Sequence, residues 1–280
     1  MGYRFRIVNV FTREGEPFSG NPLCVFEDAH GLDDAQMQAL ALQFNLSETT
    51  FILPSRHADA RVRIFTPGYE MPFAGHPTLG TACVLSAMAG LGARVTLELN
   101  VGVIPVQRVG ELWELAAPAP SWRPAKATAA ELAGAFGLDP ADLAGPAMWV
   151  QAGSEQLVVP LASPAAVERA WIGFEGLSAV TADGALAQVY LFAEDGDGTL
   201  VSRFFFSKAA SVLEDPATGS ATANLGGWYL AQGAALPLER WISQGAQAGR
   251  PSSLRLRIDQ ARQVFVAGTI LELGRGEVDL

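Results

Sequence analysis

Apolar and polar residues alternate over residues 4–11, the period-two pattern of a strand with one buried face. Residues 15–22 then read as loop, broken by Ser19-Gly20-Asn21-Pro22. Asp33 and Asp34 favour a helix start, with Met37, Leu40, Leu42 and Phe44 as its apolar face and Asn45 as its end. The short β-branched run Thr49-Thr-Phe-Ile-Leu is an expected strand, which puts Glu48 at its entrance. Another strand over 60–65 leads through a Pro/Gly-rich loop to His76-Pro77-Thr-Leu-Gly. Proline at the first helical position and Gly90 beyond the end punctuate a helix there. No charged residue occurs from Pro77 through Gly92, so this helix lacks a solvent face and is expected to be buried on all sides. Strand-like runs over 95–99 and 103–109 precede Ala116-Ala-Pro-Ala-Pro-Ser-Trp-Arg-Pro, which reads as a Pro-rich linker over about 116–127.

The second half repeats this plan. Glu70-Met-Pro72-Phe-Ala-Gly75-His76 aligns with Glu214-Asp-Pro216-Ala-Thr-Gly219-Ser220 at an offset of 144, with Glu, Pro and Gly in register. Upstream, Arg63-Ile-Phe65 aligns with Arg203-Phe-Phe205 at an offset of 140, so the second loop is four residues longer. Residues 221–230 form another uncharged helix, ending near Gly233. The chain therefore reads as a tandem duplication, domains 1–118 and 119–280, each a set of strands wrapped around one apolar helix.

Composition agrees with two buried helices. Of 280 residues 49% are apolar and only 17% charged, against about 25% in an average soluble chain, which excludes intrinsic disorder. The 19 basic residues are scattered among 29 acidic ones, for a net charge of −10. This makes nucleic acid and anionic membrane poor partners. The first apolar run is interrupted by charge, and no later window approaches about 18 apolar residues, so a cytoplasmic protein is expected. Cys24 and Cys83 are too few for a disulfide framework and lack metal-ligand spacing; they read first as buried apolar residues. No G-x-G-x-x-G or P-loop occurs, so no nucleotide cofactor is implied, and no metal site is expected. Asp195-Gly-Asp-Gly198 lacks most calcium ligands and reads as a hairpin turn.

Each copy ends its loop with glycine at the start of a buried helix. First-turn amides have no helical partner and the dipole favours an anion, so Gly75-His76 and Gly219-Ser220 are candidate carboxylate-binding corners. Capping alone explains either loop, since serine is a common cap. Two such loops, each with ionisable residues, point instead to function, with His76, Asp215 and Ser220 as candidates and Glu48 added by the strand pattern. Asp215 also fits a solvated turn acid, and Glu48 a partner of the nearby Thr hydroxyls.

The segments Val10-Phe-Thr, Pro17-Phe-Ser-Gly-Asn-Pro-Leu, Asn45-Leu-Ser-Glu-Thr-Thr-Phe, Arg63-Ile-Phe-Thr-Pro, Pro72-Phe-Ala-Gly-His-Pro-Thr-Leu-Gly, Glu214-Asp-Pro-Ala-Thr-Gly-Ser-Ala and Gly249-Arg-Pro-Ser resemble the PhzF-like phenazine-biosynthesis family. They occur in family order over nearly the whole chain. The resemblance implies an α+β, diaminopimelate-epimerase-like fold: two pseudo-symmetric domains, each a β-barrel-like sheet around a central apolar helix, with the site between them. It also implies that Glu48 shuttles a proton and that His76, Asp215 and Ser220 belong to the site. A homodimer without cofactor is implied too. The stretch Arg203-Phe-Phe-Phe-Ser-Lys-Ala-Ala-Ser-Val-Leu-Glu departs from the family pattern.

The expected activity is a cofactor-independent isomerisation of a small carboxylated substrate, as in trans-2,3-dihydro-3-hydroxyanthranilate isomerase. Gly75, Gly219 and Ser220 would hold the carboxylate, Glu48 would move a proton between carbons, and His76 and Asp215 would orient the substrate. Thiol-based epimerisation is disfavoured, because neither duplicated loop carries a cysteine. Two other readings use the same residues: a hydrolase built on Ser220, His76 and Asp215, although Ser220 lacks a G-x-S-x-G elbow, and a non-catalytic ligand-binding or interaction protein. Arg250 is expected to anchor its loop.

Overall fold

In the computed structural model, which describes residues 2–280, β1 (Gly2–Val10) pairs antiparallel with β2 (Asn21–Phe26) and, on its other side, with the chain's last strand, Ile270–Asp279. Helix α1 (Asp34–Phe44) connects β2 to β3 (Glu48–Leu53), which lies parallel to β2. β4 (Ala60–Phe65) is antiparallel to β3 and to the short β5 (Glu70–Met71). Helix α2 (Gly75–Ala89) follows, and β6 (Arg94–Leu99) returns parallel to β4. The meander then continues through β7 (Gly102–Val109) and β8 (Leu112–Ala116). α2 packs against β1, β2, β3, β6, β7 and β8. These elements are the first of two units, formed by the chain up to Ala116 with Ala267–Leu280. The duplication in the sequence predicts all of 119–280 as the second domain. The last strand instead belongs with the first unit, because it pairs with β1 from Gly2 opposite Asp279 to Val10 opposite Ile270.

The second unit, Ala117–Val266, repeats the pairing order. β9 (Ser121–Pro124) joins β10 (Met148–Gln151), and β10 joins β11 (Glu155–Pro160), both antiparallel. α3 (Ala129–Phe136) precedes β10, while α4 (Pro164–Arg169) and α5 (Phe174–Val180) connect β11 to the parallel β12 (Gln188–Glu194). β13 (Thr199–Lys208) is antiparallel to β12 and β14 (Ser211–Asp215) and parallel to β15 (Leu238–Gln244), which pairs with β16 (Ser252–Ile258). Helix α6 (Gly219–Ala231) packs on β9, β10, β11 and β16. Glycines admit the strands closely: a Cβ at Gly226 would lie 2.6 Å from Val264 Cγ1, and one at Gly227 2.6 Å from Val150 Cγ1. β17 (Val264–Gly268) leads into the last strand, β18.

The repeat extends to side chains. Arg63 donates to both carboxylate oxygens of Glu70, and Arg203 does the same to Glu214. Each guanidinium also lies over the phenylalanine two residues on, at 5.0 Å from the Phe65 ring and 4.7 Å from the Phe205 ring.

Several local expectations change. β2 begins at Asn21, inside the stretch read as loop, because Pro22 opens the strand opposite Asn9 rather than breaking it. α1 has its capping box, Asp33 with Gln36, and ends at left-handed Asn45. Its buried side is Met37, Leu40 and Ala41, whereas Leu42 is 60% exposed, turned about 100° from Ala41 by the helical period. α2 is buried through Leu85, but its last turn, from Ala87 onward, is exposed despite carrying no charge. The Pro-rich linker is partly strand, since 121–124 pairs with β10. Asp195-Gly-Asp-Gly198 is the β12–β13 hairpin turn. Among the described residues, no helix is long and apolar enough to cross a membrane.

Candidate active site

In the first unit, β3 opens at Glu48, which lies opposite Leu23 of β2. Phe51, three residues on, stacks on Phe26 at 4.9 Å and meets Phe65 edge-on, which fixes this strand against its neighbours. The N-cap of α2 is Ala74, whose methyl group cannot cap the helix, and Gly75 and His76 begin its first turn. The His76 side chain is buried, with Nε2 at 3.3 Å from Glu48 Oε2. The imidazole also hydrogen-bonds the Pro22 backbone. Burial drives the His76 pKa down to about 3, opposed only partly by that bond, so the ring is neutral at pH 7. A neutral imidazole has one N–H. With that proton donated to Pro22, Nε2 presents its lone pair to Glu48.

In the second unit, Asp215 ends β14 and Thr218 is the N-cap of α6. Thr218 does not cap the helix with its side chain. Its hydroxyl donates instead to Asp215 Oδ2 at 2.5 Å. Gln244 holds this arrangement: Nε2 donates to Thr218 Oγ1 and to the Asp215 carbonyl, both at 2.9 Å, and Oε1 accepts from the Thr218 amide. Ser220, in the first turn after Gly219, does not cap the helix either. Its Oγ accepts a hydrogen bond from Gln156 Nε2 at 3.0 Å. By contrast, Asp33, Thr128 and Ser163 cap α1, α3 and α4 with their side chains. Both duplicated helices therefore begin without a side-chain cap, and the capping explanation for Ser220 does not hold.

The Gly249-Arg-Pro-Ser segment supports this corner through its backbone. Gly245 sits at φ +81°, and a Cβ there would lie 2.4 Å from both the Arg250 and Pro216 carbonyl oxygens. Only glycine fits where the two loops meet. The Arg250 amide donates to the Gly245 carbonyl, and its own carbonyl accepts from Ser252.

The structure thus brings Glu48, Gly75 and His76 together in one unit, and Asp215, Gly219 and Ser220 in the other. Sequence reasoning missed Gln156, Thr218, Asn224 and Gln244, whose roles are set by long-range hydrogen bonds. One signal was present: Asn224 is an amide inside an otherwise uncharged, buried helix. The duplication is broken at the carboxylate. Val189 faces Phe205 across the strands as Thr49 faces Phe65, so the position equivalent to Glu48 is Gln188. Cys24 and Cys83 both have thiol pKa values raised, chiefly by burial, which disfavours their thiolates. Among the described residues, no group of three or more His, Cys, Asp or Glu is placed to hold a metal ion.

Residues 8–272 match the family model for phenazine biosynthesis-like proteins, PhzC-PhzF. An uncharacterized isomerase of Pasteurella multocida is 37% identical over 282 residues, covering 99% of this chain and 94% of that protein. The trans-2,3-dihydro-3-hydroxyanthranilate isomerase of Pseudomonas aeruginosa is 36% identical over 277 residues, 92% of this chain and 91% of that one. Among solved structures, a PhzF-family phenazine biosynthesis protein of Bacillus anthracis aligns over the whole of both chains with a TM-score of 0.89 and 28% identity. A hydroxyproline epimerase from Agrobacterium vitis, at 15% identity, shares the fold with a TM-score of 0.68 over 100% of this chain and 93% of that one. The fold is the diaminopimelate-epimerase-like one, and the chain is an isomerase belonging to the phenazine biosynthesis-like, PhzF family.

Proposed function

We propose that this isomerase moves a proton between carbons of a small carboxylated substrate, with Glu48 as the acid/base and no cofactor. The observation that carries the reading is the approach of Glu48 Oε2 to the neutral His76 at 3.3 Å. An imidazolium there would hold Glu48 as an ion pair and weaken it as a base. A neutral ring with its lone pair toward Glu48 does the opposite. Once the carboxylate has taken a proton from carbon, the new O–H donates to Nε2, and the intermediate state is stabilised. The proton then returns to a second carbon and regenerates the carboxylate.

The first-turn amides at Gly219 and Ser220, with the Ser220 hydroxyl, suit a substrate carboxylate, and in the first unit the amides at Gly75 and His76 have the same character. Asp215, with its carboxylate fixed by Thr218, suits a donor group of a substrate. The amide at Gln188 cannot take a proton from carbon, so the second unit has no base at the position equivalent to Glu48, and Glu48 both removes and returns the proton. This favours isomerisation over a two-base racemisation.

The likeness to trans-2,3-dihydro-3-hydroxyanthranilate isomerases makes that compound the first substrate to assay. Glu48→Gln is expected to lower its turnover by at least about 100-fold while leaving binding within a few-fold. Undiminished turnover in the variant would refute Glu48 as the base. The hydrolase reading finds less support: Ser220 receives its hydrogen bond from Gln156, while His76 is engaged with Glu48 and Pro22.

A further inference from the structure

We propose that Gln156, locked by Asn224, is a positioning residue that turns the Ser220 hydroxyl into a hydrogen-bond donor toward the substrate carboxylate. The inference rests on the reading of Ser220 as part of the substrate-binding corner. It starts from Asn224, which is fully buried in α6. Its Oδ1 accepts from the Ala152 amide at 2.7 Å, an N–H that can only donate, so the orientation of the Asn224 side chain is settled. Its Nδ2 must then be the donor, and it reaches the Ser154 carbonyl at 2.9 Å and Gln156 Oε1 at 2.8 Å. The Gln156 amide is thereby oriented in turn, with its carbonyl end toward Asn224 and its NH2 end toward Ser220.

Gln156 is 2% exposed, and its Nε2 meets Ser220 Oγ at 3.0 Å. An amide NH2 has no lone pair to offer a hydroxyl, so Ser220 accepts here and its own proton must point elsewhere. Ser220 is only half-buried, so an open side remains for that proton. A serine at a helix entrance otherwise rotates to bond its own backbone. Here the chain Ala152, Asn224, Gln156 commits one Ser220 lone pair before substrate arrives and so narrows that freedom, which is the usual benefit of an oriented supporting shell. The first unit has the corresponding device in another form. There the Pro22 carbonyl accepts from His76, the residue equivalent to Ser220, and so fixes which ring nitrogen carries the proton.

The test uses trans-2,3-dihydro-3-hydroxyanthranilate and four forms of the full chain: wild type, Ser220→Ala, Gln156→Met and the double variant. Gln156→Met should raise KM about 3- to 10-fold with kcat little changed, and should have less than a 2-fold effect when Ser220 is already alanine. A Gln156→Met effect that persists undiminished without Ser220, or an unchanged KM in Gln156→Met, would overturn the inference and leave the function reading intact. No effect of Ser220→Ala, or no turnover by wild type, would instead remove the reading on which it rests, and the inference with it. Gln156→Glu guards against a folding defect, because its shape is preserved. As a carboxylate it accepts the Ser220 proton and turns the hydroxyl away from substrate; as the acid it donates as the amide does. Its KM should therefore recover toward the wild-type value as pH falls, a step that wild type lacks. A Gln156→Glu profile parallel to wild type would also overturn the proposal.

Discussion

Arg203 donates to both carboxylate oxygens of Glu214, through Nε at 3.0 Å and Nη2 at 2.7 Å, with both side chains nearly buried. Nη1 continues to the Ala170 carbonyl at 2.5 Å and the Glu168 carbonyl at 3.2 Å, so one guanidinium ties β13, β14 and the end of α4. Removing one member of such a pair leaves the other charge buried without compensation. Arg203→Met is expected to lower unfolding free energy by about 3–5 kcal/mol in urea titration. The repeat-equivalent Arg63 pairs with Glu70 but also with Asp34, whose side chain is 84% exposed. Arg63→Met should therefore cost distinctly less, and equal losses would show that burial does not set the difference.

The stretch that departs from the family pattern folds as a two-residue hairpin. Lys208 faces Ser211, and the turn is Ala209-Ala210, both left-handed at φ +48° and +61°. Alanine is strained in that region, where Asn-Gly is the favoured pair. Replacing Ala209 with Asn and Ala210 with Gly is expected to raise stability by about 1–2 kcal/mol, read as a higher urea midpoint at unchanged m-value. A lower midpoint would mean that the alanine methyls make contacts worth more than the strain they impose.

What could be read from the chain beforehand was whatever repeats or is local. The Arg and Glu positions of the repeated register revealed the duplication because those two residues pair with each other in both copies. Asp33 and Asp34 mark the start of α1 because a helix-start signal is local; the capping box that Asp33 forms spans only four residues. Pro22 misled, because proline is a breaker in most contexts and is tolerated at the first positions of a strand. The lack of charge in α2 misled about its last turn, since small apolar residues are as readily exposed as buried. At the site, the ionisable residues stood out by type and motif. Gln156 and Gln244 did not, because a neutral amide acquires its role from partners far along the chain: Ser220 is 64 residues from Gln156, and Thr218 is 26 from Gln244.

His76 makes the pH dependence of stability specific. Its pKa in the folded protein is lowered to about 3 by burial, whereas in the unfolded chain it titrates near the ordinary 6.5. Below about pH 6.5 the unfolded chain therefore binds a proton that the native one refuses. The stabilisation is fully present above that pH and is lost as pH falls toward 3. Between pH 8 and pH 5 the loss from this one group amounts to about 2 kcal/mol. The difference in unfolding free energy between wild type and His76→Asn should shrink by that amount over the same interval. The native protein offers an independent check: the His76 ring resonance should not titrate between pH 8 and 5. A ring that titrates upward of 6.5, with stability rising as pH falls, would mean that His76 is held as an imidazolium against Glu48. The lone-pair arrangement on which the proposed proton transfer depends would then fail.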